Sequence, residues 1–222
     1  MVVSLFSVFD PTSYFGVSLN WIIMFIIFMF LPSRYFFIKS DYVNIMFMVY
    51  GGVKKMFNEV GQPNHNVLSF LCVMTFLYLM MSNLLGLFPF VFTSTAHPMI
   101  SLGFGFVLWV SFFLMGWFKN FKNSAAHLVP EGSPILLSPL LVLIESISHL
   151  IRPFTLSVRL AANMMAGHLI VGLLASISLI NVTGFMSSLI FQSILLILEF
   201  GVAVIQGFVF SILLLLYALE YY

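Results

Sequence analysis

Two long apolar runs near the carboxyl end constrain the fold of this chain more than any other feature. The runs cover residues 135–180 and 185–217, and a turn signal at residues 181–184 separates them. As single helices they would measure about 65 Å and about 50 Å, whereas the hydrocarbon layer of a bilayer is about 30 Å thick. Because no loop-like cluster interrupts either run, the sequence predicts two long antiparallel membrane helices, 135–180 and 185–221, that are steeply tilted.

The composition excludes an ordinary soluble globular domain. Of the 222 residues, 62% are hydrophobic and 7% are charged, whereas soluble domains carry about 25% charged residues. Most of the surface must therefore face a lipid bilayer. The formal net charge of +1 provides no charged footprint for nucleic acid, and a single cysteine, Cys72, excludes a disulfide within the chain.

Three shorter apolar segments precede the two runs. They cover residues 14–31, 67–92 and 99–118, and each has about the 17–25 residues that a helix needs to cross the hydrocarbon layer. The second and third segments are joined by residues 93–98 and are predicted to form a transmembrane hairpin. Residues 1–10 contain no Lys or Arg, so the first segment lacks the basic start of a signal peptide and is interpreted as a retained span.

The segment 42–60 differs from the spans. Its apolar residues recur near helical spacing, and Lys54, Lys55 and Glu59 cluster toward its end, which predicts an amphipathic helix at the membrane interface. The fold class predicted for the chain is all-α, with a single integral membrane domain over residues 1–222. This domain comprises one amino-terminal transmembrane helix, the interfacial helix, the transmembrane hairpin and the two long tilted helices.

The basic residues of the loops predict the orientation. Six loop cations lie between the first span and the hairpin or directly after the hairpin: Arg34, Lys39, Lys54, Lys55, Lys119 and Lys122. Two membrane crossings separate these groups, so both lie on one side, which the positive-inside rule makes the inner side. The amino terminus and the loop 93–98, which carry no Lys or Arg, are then outside.

Ionisable residues within or beside the long runs are the main candidates for a functional site. They are Glu145, Arg152, Arg159, His168 and Glu199. A charge at the bilayer centre costs at least about 2.5–3.5 kcal/mol, so such groups line water, pair with one another or perform a function. For Arg152, near the inner end, snorkelling of the side chain to the interface is an equally good explanation. Arg159 has apolar sequence far on both sides, which argues against that explanation.

Closing the predicted hairpin at its turn brings polar residues of the two runs to similar depths. Three pairs then face each other: Arg159 with Gln206, His168 with Glu199, and Glu145 with Glu220. At about 100° of rotation per residue, Arg159 and His168 point to opposite sides of their helix, so they are not expected to share one pocket.

Three stretches of the chain carry distinctive residue patterns. Residues 157–168 read SVRLAANMMAGH, residues 83–89 read NLLGLFP, and the last run contains Glu199, Gln206 and Tyr217 at fixed spacings. Together with the order of the spans, these patterns resemble subunit a of the F-type ATP synthases, in its mitochondrial form. The resemblance covers nearly the whole chain, although the first forty or so residues and the carboxyl tail contribute little to it.

The resemblance implies a function and roles for particular residues. Subunit a is the stator that passes protons through two offset half-channels to a rotating ring of c subunits, whose buried carboxylates carry them and thereby drive ATP synthesis. The implied proton-translocating residues are Arg159 facing that carboxylate, Gln206 facing it from the last helix, Asn163 beside the arginine, His168 and Glu199 in the outer half-channel, and Glu145 in the inner half-channel. The chain would then be a non-catalytic subunit of the complex.

The resemblance also implies a membrane, an orientation and a set of partners. The membrane would be the mitochondrial inner membrane, with the amino terminus facing the intermembrane space and the Lys/Arg-rich loops facing the matrix. The implied partners are the c-ring, stator subunits such as b and the small subunit 8, and the lipid bilayer, without nucleic acid. Neither metal-ligand spacing nor a phosphate-binding loop occurs in the sequence, so no cofactor is expected.

Two other classes of membrane protein remain open from the sequence. A self-contained ion channel or transporter would fit the spans, but no inverted repeat is evident, and Arg159 lacks an equally buried counter-charge nearby in the chain. A structural subunit of a respiratory complex would also fit, but the matched polar levels argue against it. Whether His149, Arg152 and Glu220 take part in the inner half-channel is left open.

Three other histidines are predicted to be solvated. His65 and His97 flank the hairpin in turns, and His127 lies in a loop. None of them is assigned a role in proton movement from the sequence.

Overall fold

The computed structural model describes residues 9–10, 18–30, 40–60, 66–88, 91–119, 121–122, 125, 128–129, 137–178 and 182–221. Within this part of the chain all regular structure is helical and no β-strand occurs. The helices are α1 (Ile23–Phe30), α2 (Asp41–Val60), α3 (Asn66–Gly86), α4 (Pro98–Lys119), α5 (Ser138–Ile177) and α6 (Val182–Tyr221). The all-α class predicted from the sequence is confirmed.

Four of the helices are long and apolar enough to cross a membrane. The membrane-length stretches are Val67–Gly86 in α3, Pro98–Lys119 in α4, Ser138–Ile177 in α5 and Thr183–Leu219 in α6. The predicted first span, residues 14–31, falls partly outside the described residues. Its described part is a 3-10 turn, Leu19–Ile22, that continues into α1. The predicted interfacial segment is α2, which begins one residue earlier than expected.

α5 and α6 are the longest elements, with 40 residues each. At about 1.5 Å per residue, each is about 60 Å long, roughly twice the thickness of the hydrocarbon layer. The two helices run antiparallel: Asn163 meets Gln206, whereas Gly167, further along α5, meets Glu199, which comes earlier on α6. The two long helices therefore form an antiparallel hairpin, in a register within about one helical turn of the predicted one.

The first arm of the transmembrane hairpin is shorter than predicted. α3 ends at Gly86 instead of continuing through residues 87–92, and Ser94–Ala96 form a separate, buried 3-10 turn before α4. A Cβ atom at Gly86 would lie 3.0 Å from Cγ2 of Thr93, so the returning chain uses the space that glycine leaves. Pro89 lacks an amide hydrogen and favours a helix end at this point.

The core of the chain forms around α3, and α5 lies at its edge. Within the chain, 56% of the apolar stretch of α3 is buried, against 17% for α5. One cluster of buried side chains joins α2, α3, α4 and α6 and includes Phe57, Val73, Phe112 and Leu214. Most of α5 is therefore available to lipid or to another protein.

α5 meets the other helices mainly through one face. The buried residues of this face are Pro153, Leu156, Ser157, Leu160, Ala161 and Met164. At Ser157, α5 approaches Gly105 of α4 so closely that a Cβ atom at the glycine would overlap the serine hydroxyl. That hydroxyl donates a hydrogen bond of 2.8 Å to the carbonyl oxygen of Pro153. This contact turns the opposite face of α5 outward.

Candidate functional site

Arg159 lies on the outward face of α5. Its side chain is exposed, while Ser157 and Ala161, two residues before and after it, are buried against the other helices. Within the described part of the chain, Arg159 forms neither a hydrogen bond nor an ion pair. A guanidinium keeps its charge under all ordinary conditions. α5 therefore presents a permanent cation outward from a membrane-length helix.

Asn163 and Gln206 join the two long helices one turn beyond Arg159. The side-chain amide of Asn163 donates a hydrogen bond of 3.2 Å to Oε1 of Gln206. Gln206 is only 6% exposed, and its Nε2 is buried without a hydrogen-bond partner among the described residues. Because buried donors are nearly always paired, this amide is available to a water molecule or an acceptor from another chain. Gln206 had been expected opposite Arg159 itself, and the structure places it one turn further along α5.

His168 and Glu199 line the same small cavity between α5 and α6. The cavity has a volume of about 10 Å³, and Asn163, Met164 and Leu87 complete much of its wall. Nε2 of His168 and Oε1 of Glu199 are both buried and have no hydrogen-bond partner among the described residues. A cavity of about this volume holds roughly one water molecule, which would satisfy both atoms. An imidazole and a carboxyl group thus lie at the same depth along the two helices.

Gly167 lets Glu199 approach α5. A Cβ atom at position 167 would lie 2.5 Å from Oε1 of Glu199 and 2.8 Å from its Cδ. The glutamate side chain therefore occupies the space that any larger residue would fill. The sequence motif contains this glycine, but its effect on Glu199 depends on the helix register and could not be read from the pattern.

Glu145 lies at a separate polar level toward the other end of α5. Its Oε1 is 3.4 Å from Nε2 of His149 and 3.6 Å from a terminal nitrogen of Arg152. The guanidinium of Arg152 in turn lies 5.3 Å from the centre of the Tyr217 ring on α6. Glu145 had been expected to face Glu220, whose side chain lies outside the described residues. The contacts that the structure provides come instead from its own helix.

Three polar groups in the turn between α3 and α4 were missed in the sequence. Oγ1 of Thr93, Oγ1 of Thr95 and Nε2 of His97 are buried without a partner among the described residues. The prediction that His97 is solvated was wrong, because its ring packs against Trp21 and Phe92, at centroid distances of 5.3 and 5.2 Å. The short hydroxyl-bearing stretch Thr93-Ser94-Thr95 between two apolar segments was the available signal for a polar turn.

Ionisable groups thus lie at two levels along the pair of helices α5 and α6. One level lies on each side of Arg159, which faces outward. From Arg159, His168 is about 13 Å along the axis of α5 in one direction, and Glu145 is about 21 Å in the other. On membrane-length helices, a permanent cation that is flanked by groups able to bind and release protons is typical of proton-conducting membrane proteins.

Comparison with known proteins identifies the family within that class. Residues 16–218 match the family model described as ATP synthase A chain. ATP synthase subunit a of Drosophila melanogaster is 44% identical over 226 residues, and that of Aedes aegypti is 43% identical over 224 residues, with 99% of each chain covered in both cases. Subunit a of Artemia franciscana is 43% identical over 221 residues, covering 99% of this chain and 100% of the relative. The chain belongs to the ATP synthase A chain family.

Membership of this family sets the function. The chain is the proton-conducting stator subunit of F0, and it associates with other F0 subunits as a multi-pass membrane protein. It has no catalytic role of its own in the complex.

Replacing Gly167 by alanine is expected to lower proton flux about tenfold. The added methyl group would displace the Glu199 carboxyl group, and a displacement that raises the barrier to proton transfer by about 1.4 kcal/mol lowers the rate tenfold. Gly201→Ala is the matched control, because a Cβ atom there meets nothing within 4 Å. Proton flux in vesicles containing the complete complex measures the effect; equal flux in both variants would contradict the packing assigned to Glu199.

Proposed function

We propose that this chain passes protons through two offset half-channels to and from a rotating ring of c subunits, with Arg159 separating the two paths. The observation that carries the proposal is the outward position of Arg159, which has no counter-charge within the described part of its own chain. A cation in lipid is costly unless an opposite charge or water accompanies it. A carboxylate on each c subunit would supply that charge as it passes.

The permanent charge of Arg159 explains why protons would travel with the ring. An arginine does not release its proton, so it cannot relay protons between the half-channels. It attracts the ionised form of the ring carboxylate instead. A carboxylate that leaves this site for lipid must first be protonated, because an unpaired charge in hydrocarbon is strongly unfavourable. Rotation would then follow from proton binding on one side and release on the other.

The outer half-channel is assigned to His168 and Glu199. Both groups reach the same cavity between α5 and α6, and histidine has a reference pKa of about 6.5, which suits proton exchange near neutral pH. Two groups so placed would titrate as a unit. Asn163 shares the cavity and is bonded to Gln206, so these two amides would line the path between the outer pair and Arg159.

The inner half-channel is assigned to Glu145. This carboxylate is 35% exposed and lies on the same long helix as Arg159, so it can receive protons from the ring side. Across the membrane, the electric field contributes about 2.3 kcal/mol per charge for each 100 mV, which drives protons from the outer group to the inner one.

The whole chain is proposed to form one membrane domain in the mitochondrial inner membrane. Residues 14–31 would form a further span, and α5 and α6 would be steeply tilted, because about 60 Å of helix must fit a layer of about 30 Å. By the positive-inside rule, the loop cations favour an orientation in which the Lys/Arg-rich loops would face the matrix and the amino terminus the intermembrane space. Subunit b and subunit 8 would be neighbours in addition to the c-ring.

Reconstitution tests the requirement for the ring. Vesicles that contain this chain alone are expected to conduct protons no faster than empty vesicles. Without the c-ring, no carboxylate carries protons from one half-channel past Arg159 to the other. Vesicles with complete F0 should conduct, and a carbodiimide that modifies buried carboxyl groups should stop the flux. Carbodiimide-insensitive conduction by the isolated chain would contradict the proposal and support a self-contained channel.

A further inference from the structure

We propose that Glu145 and His149 form a second proton-sharing couple, on the inner side, and that Arg152 is a positioning residue for its carboxylate. The proposal rests on the assignment of Glu145 to the inner half-channel. Its basis is a cluster of four side chains that joins the two long helices: Glu145, His149 and Arg152 on α5, with Tyr217 on α6.

The geometry brings an imidazole and a guanidinium to one carboxylate oxygen. Nε2 of His149 lies 3.4 Å and the guanidinium nitrogen of Arg152 lies 3.6 Å from Oε1 of Glu145. The spacing of four and seven residues places all three side chains on one face of α5. Their side chains are partly sheltered, at 12%, 26% and 35% exposure for His149, Arg152 and Glu145. A surface ion pair would be weak, but partial burial on a membrane helix makes these contacts matter more.

Tyr217 gives Arg152 a fixed place. The guanidinium lies 5.3 Å from the centre of the tyrosine ring, within the range of about 6 Å over which a cation is attracted to an aromatic face. Arginine stacks on such rings through its planar group, whereas lysine does not. A side chain that merely reached for the interface would not need this contact. Arg152 thus connects Glu145 to α6 and holds its carboxylate in one position.

The inner cluster has the same chemistry as the outer one. Each level pairs one carboxyl group with one imidazole: Glu199 with His168, and Glu145 with His149. In the proposed step, a proton on the Glu145 carboxyl group passes to Nε2 of His149. The imidazolium then releases its Nδ1 proton to water, which leaves a neutral ring protonated on Nε2 and an ionised Glu145. Before the next cycle, exchange with water must move the remaining ring proton from Nε2 back to Nδ1.

The helices around His149 carry other ionisable groups further along their length: Arg159 and His168 on α5 and Glu199 on α6. Arg152 and Glu145 share its helix, and α6 contributes Tyr217 through its contact with Arg152. The side chain of Glu220, also on α6, lies outside the described residues. α4, the other long helix packed on α5, carries Lys119 as its one ionisable residue, in its last turn. His168, the other histidine of α5, lies 19 residues from His149, so within the inner cluster His149 alone has a reference pKa near 6.5.

The first test measures the rate of ATP synthesis by the complete complex in vesicles. The inner pH is varied from about 5.5 to about 8, a range that spans the reference histidine pKa of about 6.5. The total proton-motive force is held constant. The wild-type rate is expected to fall as the inner pH drops through about 6.5, because protonated His149 cannot accept a proton. His149→Gln keeps a hydrogen-bonding side chain but does not titrate. It is expected to lower the rate about tenfold at pH 7.5 and to remove that fall. Ser148→Ala is the control and should keep the wild-type profile.

The second test separates position from charge. Arg152→Lys retains the cation without the stacking plane, and Tyr217→Leu removes the ring, so each is expected to lower the rate about threefold to tenfold. Tyr217→Phe keeps the ring and should behave as wild type. A merely structural role would reduce the amount of assembled complex in Arg152→Lys and Tyr217→Leu while leaving the rate per complex unchanged.

The outcomes distinguish this inference from the inner half-channel itself. Wild-type flux in Glu145→Gln would overturn both. Reduced flux in Glu145→Gln, together with a wild-type pH profile in His149→Gln, would overturn the proton-sharing couple alone. Wild-type rates in both Arg152→Lys and Tyr217→Leu would overturn the positioning role of Arg152.

Discussion

Replacing Arg159 by glutamine is expected to lower proton-driven ATP synthesis to about a hundredth of the wild-type rate or less. The variant removes the charge that holds the ring carboxylate, and losing one partner of a desolvated ion pair costs about 3–5 kcal/mol. Each 1.36 kcal/mol is about a factor of ten. With the barrier between the half-channels gone, passive proton conductance of the vesicles should persist or rise. The ATP synthesis rate and the conductance are both measured on the same preparation.

Two further variants sharpen this result. Arg159→Lys keeps the charge but not the planar fork, so its rate should fall between those of the wild type and the glutamine variant. Lys54→Gln removes an exposed cation from α2, far from the seam in sequence, and should leave synthesis unchanged. Wild-type synthesis in Arg159→Gln would refute the separating role of this residue.

Changing His168 to alanine or Glu199 to glutamine is expected to slow proton uptake about a hundredfold while leaving the amount of assembled complex nearly unchanged. Positioned acid–base groups contribute about 10²–10⁴-fold to proton transfer. Both residues line one cavity, and each leaves a buried atom without a partner among the described residues. Uptake is measured as proton flux into vesicles from the outer side, normalised to the content of complex.

An exchange of the two side chains tests whether they act as a pair. The double variant His168→Glu/Glu199→His retains one carboxyl group and one imidazole at the same cavity and is expected to recover to about a tenth of the wild-type flux. Full recovery is not expected, because a histidine ring at position 199 would press against Gly167. Unchanged flux in both single variants would contradict the assignment of the outer half-channel.

The long helical hairpin was predictable because the length of an apolar run limits the length of a helix in lipid. The predicted limits of the first run, 135–180, differ from α5 by only three residues at each end. The register was less predictable. Ile177 lies close to Gly184, about one helical turn from the expected level, and Arg152 meets Tyr217, about one turn from the expected level in the opposite direction. Two helices that pack at a crossing angle do not keep a register that is counted residue by residue from their turn.

The partners of individual side chains were the least predictable part of the site. Glu145 was expected to face α6, but residues four and seven places along its own helix are within reach by helix geometry alone. His97 was expected in water, although the buried 3-10 turn encloses one of its nitrogens. Such outcomes depend on tertiary packing. The importance of Arg159, by contrast, follows from one permanent charge in a long apolar run.

A disulfide cross-link between the outward face of α5 and a c subunit is the most direct measurement of the proposed mechanism. Ala162 is exposed on the same side of α5 as Arg159, and Val107 is a control that is 65% exposed on α4, two residues from the contact of Gly105 with Ser157. Cysteines placed next to the carboxylate of the c subunit should form a disulfide with Ala162→Cys but not with Val107→Cys. No cross-link at Ala162, or equal cross-linking at both positions, would contradict the central claim that Arg159 faces the moving ring.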